Sequence, residues 1–255
     1  MLFRSLYLGG ATDTPSFINL DRFQLVKSFL DWPRVQIFEI SLVEPDQTAL
    51  VVEHENYGGK EWISLLSEDY LVDVVNDDED LTFHFTGNYK IIVLADLRRT
   101  LSTEEFEILQ QEMSEGAVLI ICGLTPAYLD LDNNAYWIGA NKFVEAPKEA
   151  KWEISFTENS FNISTEIELT KQYAYYTNGY WSSPTGMMGI EEDVLVLATR
   201  IEDKATAIYA KHYLNGTVIF SGIRLPYAKY SEDYEILIDF LESLREKATN
   251  NKLFS

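Results

Sequence analysis

Between residues 49 and 123 the chain alternates short apolar runs with segments of helical period. The runs that predict strands are Ala49–His54, Leu71–Val75, Lys90–Asp96 and Ala117–Cys122. The segment Lys60–Ser67, between the first two, has the apolar spacing of a helix. A continuous apolar run is typical of a strand that is buried on both faces, and strands separated by helices pair in parallel. The alternation therefore predicts a layered α/β fold with a parallel sheet.

A second helix is indicated between the last two of these strands. Ser102 can cap its first turn, and Glu105 stands three residues later, which completes a capping box. Leu109 and Met113 fall on one face at helical spacing, and Gly116 stands where a C-terminal glycine belongs. Start, buried face and end of this helix are therefore all marked in the sequence.

From residue 151 onwards the pattern changes to shorter alternating runs, which favour antiparallel strands. The predicted strands are Trp152–Phe156, Tyr173–Tyr176, Val194–Thr199, Ala205–Tyr213 and Thr217–Ser221. Asn215-Gly216 predicts a tight hairpin turn between the last two. A final helix is expected from Ser231, followed by a frayed tail over residues 248–255. The first 45 residues predict a βαβ-like piece, with strands at Phe3–Leu8 and Val35–Val43 and a helix from about Asn19 to Trp32.

Net charge excludes some partners. Forty-one acidic and 20 basic residues give a formal charge of −21 and an isoelectric point near 4.4. Such a surface repels phosphate, so the sequence predicts no nucleic-acid partner and no anionic membrane partner. The apolar stretch at the N-terminus is too short for a signal peptide, no run approaches 18 apolar residues, and Cys122 is the only cysteine. We therefore expect a cytoplasmic protein.

Two segments, Asn88–Gly123 and Ala207–Tyr227, carry a resemblance to a known superfamily. Their layout of strand, capped helix and strand, and then of hairpin, strand and loop before the last helix, resembles the class I glutamine amidotransferase-like superfamily. The similarity is to its divergent branch of trehalose-utilisation-type proteins and β-galactosidase trimerisation domains. It implies a flavodoxin-like three-layer α/β/α fold, with a mainly parallel central sheet and antiparallel additions in the C-terminal half. On this basis residues 1–247 form one α/β domain, in which 48–247 are the amidotransferase-like core and 1–45 are the extra piece.

The sequence departs from the active members of that superfamily. Their nucleophilic cysteine has glycines two residues to either side, because the turn that carries it is strained and crowded. Cys122 has Ile120 and Leu124 at those positions. The family's His-x-Glu pattern is also missing, since His212 is followed by Tyr213 and Leu214. The expected function is therefore a non-catalytic binding or assembly module without glutaminase activity. The alternative is a carbohydrate-directed enzyme of the trehalose-utilisation type, with His54 and nearby acids as acid–base groups.

Two interpretations of Cys122 are open at this stage. It can be a small apolar core residue, or a nucleophile that is activated by His54 if the two strands that end in these residues are neighbours. The histidines share no metal-ligand spacing, and the acidic run Asp77–Asp80 lacks the glycine and spaced glutamate of a calcium loop. No nucleotide-binding glycine motif occurs. The sequence accordingly predicts neither a metal nor a cofactor.

If a ligand binds, it should do so beyond the carboxyl ends of the parallel strands. The candidate residues at this rim are His54, Asn56, Tyr57, Asp96, Arg98, Arg99, Cys122, Thr125, Arg224 and Tyr227. Two interpretations of the arginines are open: they bind a small polar or anionic ligand, or they neutralise neighbouring acids.

A cluster of aromatic side chains surrounds a predicted tight turn at Asn178-Gly179. Its members are Tyr173, Tyr175, Tyr176, Tyr180 and Trp181. Five large rings in nine positions are more than one hairpin face usually buries within its own domain, so we expect a homo-oligomer, in the simplest case a dimer.

Overall fold

The structure is a computed structural model, and it describes residues 5–8, 16–19, 47–54, 58–85, 89–146, 152–164, 166–169, 174–176, 183–229 and 233–254. The chain divides into two compact units, residues 1–44 and 45–255. In the first unit, β1 (Ser5–Leu8) pairs antiparallel with β2 (Ser16–Asn19). β1 lies within a predicted strand, whereas β2 was not expected. The predicted helix, apart from Asn19 in β2, and the second predicted strand lie outside the described residues. Placing residues 1–45 in the same domain as the core stays a prediction.

The second unit contains the α/β core. Its strands are β3 (Thr48–Glu53), β4 (Leu71–Asn76), β5 (Tyr89–Ala95), β6 (Val118–Cys122), β7 (Ala140–Val144), β8 (Glu153–Phe156), β9 (Ala174–Tyr176), β10 (Gly186–Ile190), β11 (Val194–Arg200), β12 (Thr206–Tyr213) and β13 (Gly216–Ser221). Its helices are α1 (Gly59–Leu66), α2 (Thr103–Ser114), α3 (Leu131–Ile138), α4 (Glu158–Ile163), α5 (Leu225–Ala228) and α6 (Tyr234–Thr249).

These strands form one mixed sheet. Five of them lie side by side in parallel, in the order β4-β3-β5-β6-β13. The sheet continues with antiparallel pairs through β12, β11, β8 and β9, while β10 pairs with both β12 and β7. The fold is thus the predicted flavodoxin-like α/β class, with a parallel centre and antiparallel additions from the C-terminal half.

Helices cover both faces of the parallel strands. Along β3, Ala49 and Val51 point to the face that is covered by α1 and α6, while Leu50 and Val52 point to the face that is covered by α2 and α3. The parallel strands are therefore buried on both sides, which is the physical reason for their continuous apolar sequence.

Local signals set the ends of α2 as expected. The Ser102 hydroxyl accepts the Glu105 N–H at 3.2 Å, and the Glu105 carboxylate accepts the Ser102 N–H at 2.7 Å. Gly116, just after the helix, has φ of 101°.

The C-terminal end differs from the predicted frayed tail. α6 runs to Thr249, Ala248 is buried, and Leu253 packs against the core. These apolar contacts hold the segment after the helix against the domain.

Candidate functional site

The carboxyl ends of β5, β6 and β13 enclose a small cleft on the α1 side of the sheet. Trp62 of α1, Asp96 after β5, Cys122 at the end of β6 and Arg224 after β13 line it, together with Gly58, Gly123 and apolar neighbours. The space between them is on the scale of a single water molecule. Three of the residues predicted for the rim, Asp96, Cys122 and Arg224, are therefore brought together.

A buried ion pair forms one side of this cleft. The Arg224 guanidinium donates to the Asp96 carboxylate at 2.8 Å, and both side chains are about 2% exposed. Arg98 lies 3.6 Å from the same carboxylate, and the Leu124 N–H donates to its other oxygen at 2.6 Å. The guanidinium of Arg224 also lies over the Tyr227 ring, 4.9 Å from its centre. Asp96 thus ties together the ends of three strands, and it is itself held in the left-handed region with φ of 59°.

Cys122 lies in an environment that keeps its thiol protonated. The side chain is buried on the α1 face of the sheet. Burial raises the pKa of the Cys122 thiol well above its usual value and the Asp96 carboxylate raises it further, while a hydrogen bond from Trp62 acts in the opposite direction. A reactive cysteine needs the reverse arrangement, with positive charge and partial exposure.

His54 does not meet Cys122, because β5 lies between β3 and β6. The expectation that these two strands are neighbours is therefore wrong, and the strand ends stand about 9–10 Å apart. The two residues also use different faces. Glu53 packs against Gly59 at the start of α1, so the alternation along β3 directs His54 to the other face. There the His54 Nδ1 lies 2.9 Å from the carboxylate of Asp77.

Asp77, the first residue of the acidic run after β4, is buried, and it was not among the predicted rim residues. Besides His54, its carboxylate accepts the Arg98 N–H at 3.0 Å, and its carbonyl accepts a bond from Arg99. Its position directly after β4, beside the end of β3, is the signal that could have identified it. The acidic run after β4 therefore begins with a buried residue that is hydrogen-bonded within the fold.

The remaining candidate residues of the rim support the backbone or lie outside the described part of the chain. Thr125 is fully buried; its hydroxyl accepts the Leu97 N–H at 2.9 Å and donates to the Leu94 carbonyl at 3.0 Å. Asn56 and Tyr57 are outside the described residues.

Arg99 acts on the α2 side of the sheet. Its guanidinium makes two bonds to Glu105, at 2.5 and 2.8 Å. The arginines of the rim thus neutralise local acids, which was one of the two interpretations of them.

The aromatic segment is described only in part. β9 contains Tyr175 and Tyr176, and pairs with β8 as an antiparallel strand. Tyr173, Tyr180 and Trp181 lie outside the described residues, so the hairpin and its role as an interface stay predictions.

Two features are absent from the described residues. Among them, no group of three or more histidine, cysteine, aspartate or glutamate side chains is placed to hold a metal ion. None of the helices in the same part of the chain combines the length and apolar character that crossing a membrane requires.

Comparison with known proteins shows a shared fold. No protein-family model matches the sequence, and no curated protein matches it. The solved structures that it resembles include the N-terminal domain of mmIFT52, with 13% identity over 78% of this chain and 97% of that domain and a TM-score of 0.59. A ThuA-like protein from Parabacteroides merdae ATCC 43184 is 12% identical over 83% of this chain and 92% of that chain, with a TM-score of 0.55.

A β-galactosidase from Bacillus circulans sp. alkalophilus is also similar. It is 12% identical over 81% of this chain, with a TM-score of 0.51, and this chain spans 31% of that enzyme. At such low identities the likeness shows the fold and carries no function with it. The comparisons therefore agree with the α/β fold of the structure, and the membership of the amidotransferase-like superfamily stays a prediction.

Proposed function

We propose that this chain is a non-catalytic amidotransferase-like domain that acts by binding and assembly, without glutaminase activity. The observation that carries the proposal is the surroundings of Cys122. Its thiol is buried beside the Asp96 carboxylate, which disfavours the thiolate. His54, the histidine among the candidate rim residues, is paired with Asp77 on the other face of the sheet. A cysteine nucleophile needs a neighbouring base or cation, and this arrangement supplies a carboxylate instead.

The size of the cleft supports the same choice over the carbohydrate-directed alternative. The cleft beside Asp96 and Arg224 has space for about one water molecule, whereas a sugar ring needs a pocket many times larger. The Asp96 and Arg224 side chains form an ion pair with each other at 2.8 Å on one side of it. A buried pair of this kind stabilises the strand ends as long as both partners are present.

The test is the release of ammonia from glutamine by the purified protein. We expect none above the protein-free blank, and no difference between the wild type and Cys122→Ala. Thermal unfolding of both proteins shows that each is folded during the assay. Ammonia release by the wild type that is lost in Cys122→Ala would overturn the proposal.

A further inference from the structure

An exposed aromatic and aliphatic patch lies at the opposite end of the parallel strands from the cleft. It consists of Tyr136 on α3 and of Tyr213 and Leu214 at the turn between β12 and β13; we call it the Tyr136–Leu214 patch. Tyr136 is 56% exposed and Leu214 is 53% exposed. The rings of Tyr136 and Tyr213 meet edge to face, with their centres 6.0 Å apart.

The patch rests on a rigid base. The Asn215 side chain donates to the Ser114 carbonyl at 2.7 Å, which fixes the hairpin turn to the end of α2. The Gln110 side chain donates to the Tyr136 hydroxyl at 3.0 Å. Trp137 is fully buried beneath, 6.2 Å from the Tyr213 ring. A surface that is already ordered loses little conformational entropy when it binds a partner.

Leu214 is the first residue of the two-residue loop between β12 and β13, in which Tyr213 pairs with Gly216. Its φ is 53°, in the left-handed region, which costs a leucine about 1–2 kcal/mol and costs a glycine nothing. Half of its side chain is nevertheless in water, so burial compensates for only part of that cost. The tight turn requires this positive φ, so the turn explains the backbone, and the exposed leucine at a position that usually holds glycine or asparagine is what the turn leaves unexplained.

The charge around the patch is entirely of one sign on its two helices. α2 and α3 contain no lysine or arginine. Exposed carboxylates surround the patch: Glu107 lies one turn before Gln110, Asp132 one turn before Tyr136, and Glu115 follows α2. The helix dipole of α2 places partial negative charge at its C-terminal end. No basic residue in the last turn compensates for this charge. Tyrosine rings within such a field attract a cationic side chain to their faces.

We propose that the Tyr136–Leu214 patch binds a cationic, partly apolar segment of another protein. Arginine or lysine side chains of that segment would lie over the tyrosine rings and near Glu115 and Asp132, and an apolar side chain would contact Leu214. This inference rests on the proposed role as a binding module, and it names the surface and the chemistry of the partner.

The test measures binding of a fluorescein-labelled peptide made of repeated Leu-Arg-Ala-Lys units by fluorescence anisotropy. We expect saturable binding that weakens as salt rises, because added ions screen the carboxylates. Tyr136→Ala and Leu214→Gly should each weaken the affinity at least about tenfold, as is usual for central contacts of an interface. Leu214→Gly should keep or raise the melting temperature, because glycine relieves the strained φ; the loss of affinity then cannot result from unfolding.

The control variant is Phe83→Ala, which removes another exposed ring, 77% exposed, next to acidic residues 77–80. Binding should be unchanged in this variant. Absence of binding, or equal losses in Phe83→Ala and Tyr136→Ala, would overturn the inference, since the second result describes attraction to the acidic surface in general. Neither result contradicts the proposed function. Its test is the separate ammonia assay, and it fails if the same preparation releases ammonia from glutamine.

Discussion

At the scale of single residues, Glu105 joins the start of α2 to the segments that follow β4 and β5. Its carboxylate accepts the Ser102 N–H at the start of α2, the Leu81 N–H at 3.0 Å, and two bonds from Arg99. Burial alone would raise the pKa of Glu105. These bonds outweigh burial and hold that pKa at about 2, below the ordinary value of 4.5. The charged form is therefore favoured more strongly in the folded state than in the unfolded chain.

This shift predicts the effect of Glu105→Gln. Because the folded pKa is depressed, the stabilisation is complete above pH 4.5 and is lost as the pH falls from 4.5 towards 2. We expect the variant to lose about 2–3 kcal/mol of unfolding free energy at pH 7, and the difference from wild type to close between pH 5 and 2. Urea unfolding at a series of pH values measures it. Glu104→Gln, one residue earlier and exposed, is the matched control and should show no such difference; a constant deficit for Glu105→Gln at every pH would contradict the prediction.

At the scale of elements, the hairpin of β12 and β13 is fitted closely against the end of α2. A Cβ on Gly216 would lie 2.4 Å from the Ala117 carbonyl oxygen and 2.7 Å from that of Met113. Both are backbone atoms, so neither can turn aside as a flexible side chain would.

Gly216→Ala should therefore be destabilising although it is the smallest possible change. We expect a loss of about 1–3 kcal/mol of unfolding free energy, since hairpin and helix must separate to admit the methyl group. Gln111→Ala, on the exposed side of the same helix, should change stability by less than about 0.5 kcal/mol. Equal stability of Gly216→Ala and wild type in urea would mean that the hairpin is not docked as described.

Elements that carry a local signal were predictable from sequence, and those fixed by distant contacts were not. β3, β5 and β6 are buried on both faces, so each is a continuous apolar run, and α2 has its own capping box. β10 (Gly186–Ile190) has two glycines and two methionines, and it forms because β7 and β12 pair with it.

The same division holds for the candidate site. Asp96, Cys122 and Arg224 each stand at the end of a predicted strand, so they were expected at the same edge of the sheet. In the structure they line one cleft. β5 lies between β3 and β6 and so separates His54 from Cys122. This separation depends on the order of the strands in the sheet, which no local sequence pattern predicts.

For the whole molecule, the distribution of positive charge matters more than the total. Between residues 45 and 255 every arginine makes an ion pair: Arg98 and Arg224 with Asp96, Arg99 with Glu105, Arg200 with Asp203, and Arg245 with Asp69. The positive charge of these arginines is thus balanced by carboxylates within the fold. The unbalanced carboxylates of a chain with net charge −21 remain towards solvent, where they repel a second copy.

Self-association should for this reason depend on salt. We expect the aromatic segment of residues 173–181 to support a dimer, so that sedimentation equilibrium at micromolar concentration gives a mass above the 29.3 kDa of the monomer. The dimer fraction should rise as salt is increased, because ions screen the repulsion over about 8 Å at physiological strength while aromatic contact is unaffected. Trp181→Ala should shift the distribution towards monomer. A monomer at all salt concentrations would refute the expectation.

The position of β13 between β6 and β12 has a consequence for how the chain is made. Thr217 pairs with Val118, about a hundred residues earlier in the chain, so β6 lacks this neighbour until β13 has left the ribosome. At ordinary rates of translation that interval is about 5–20 s. Throughout it, an apolar strand with an open edge, Val118–Cys122, is available to other nascent chains. Conditions that slow elongation over residues 123–215 should therefore increase aggregation during synthesis, even though the finished protein and its stability are unchanged.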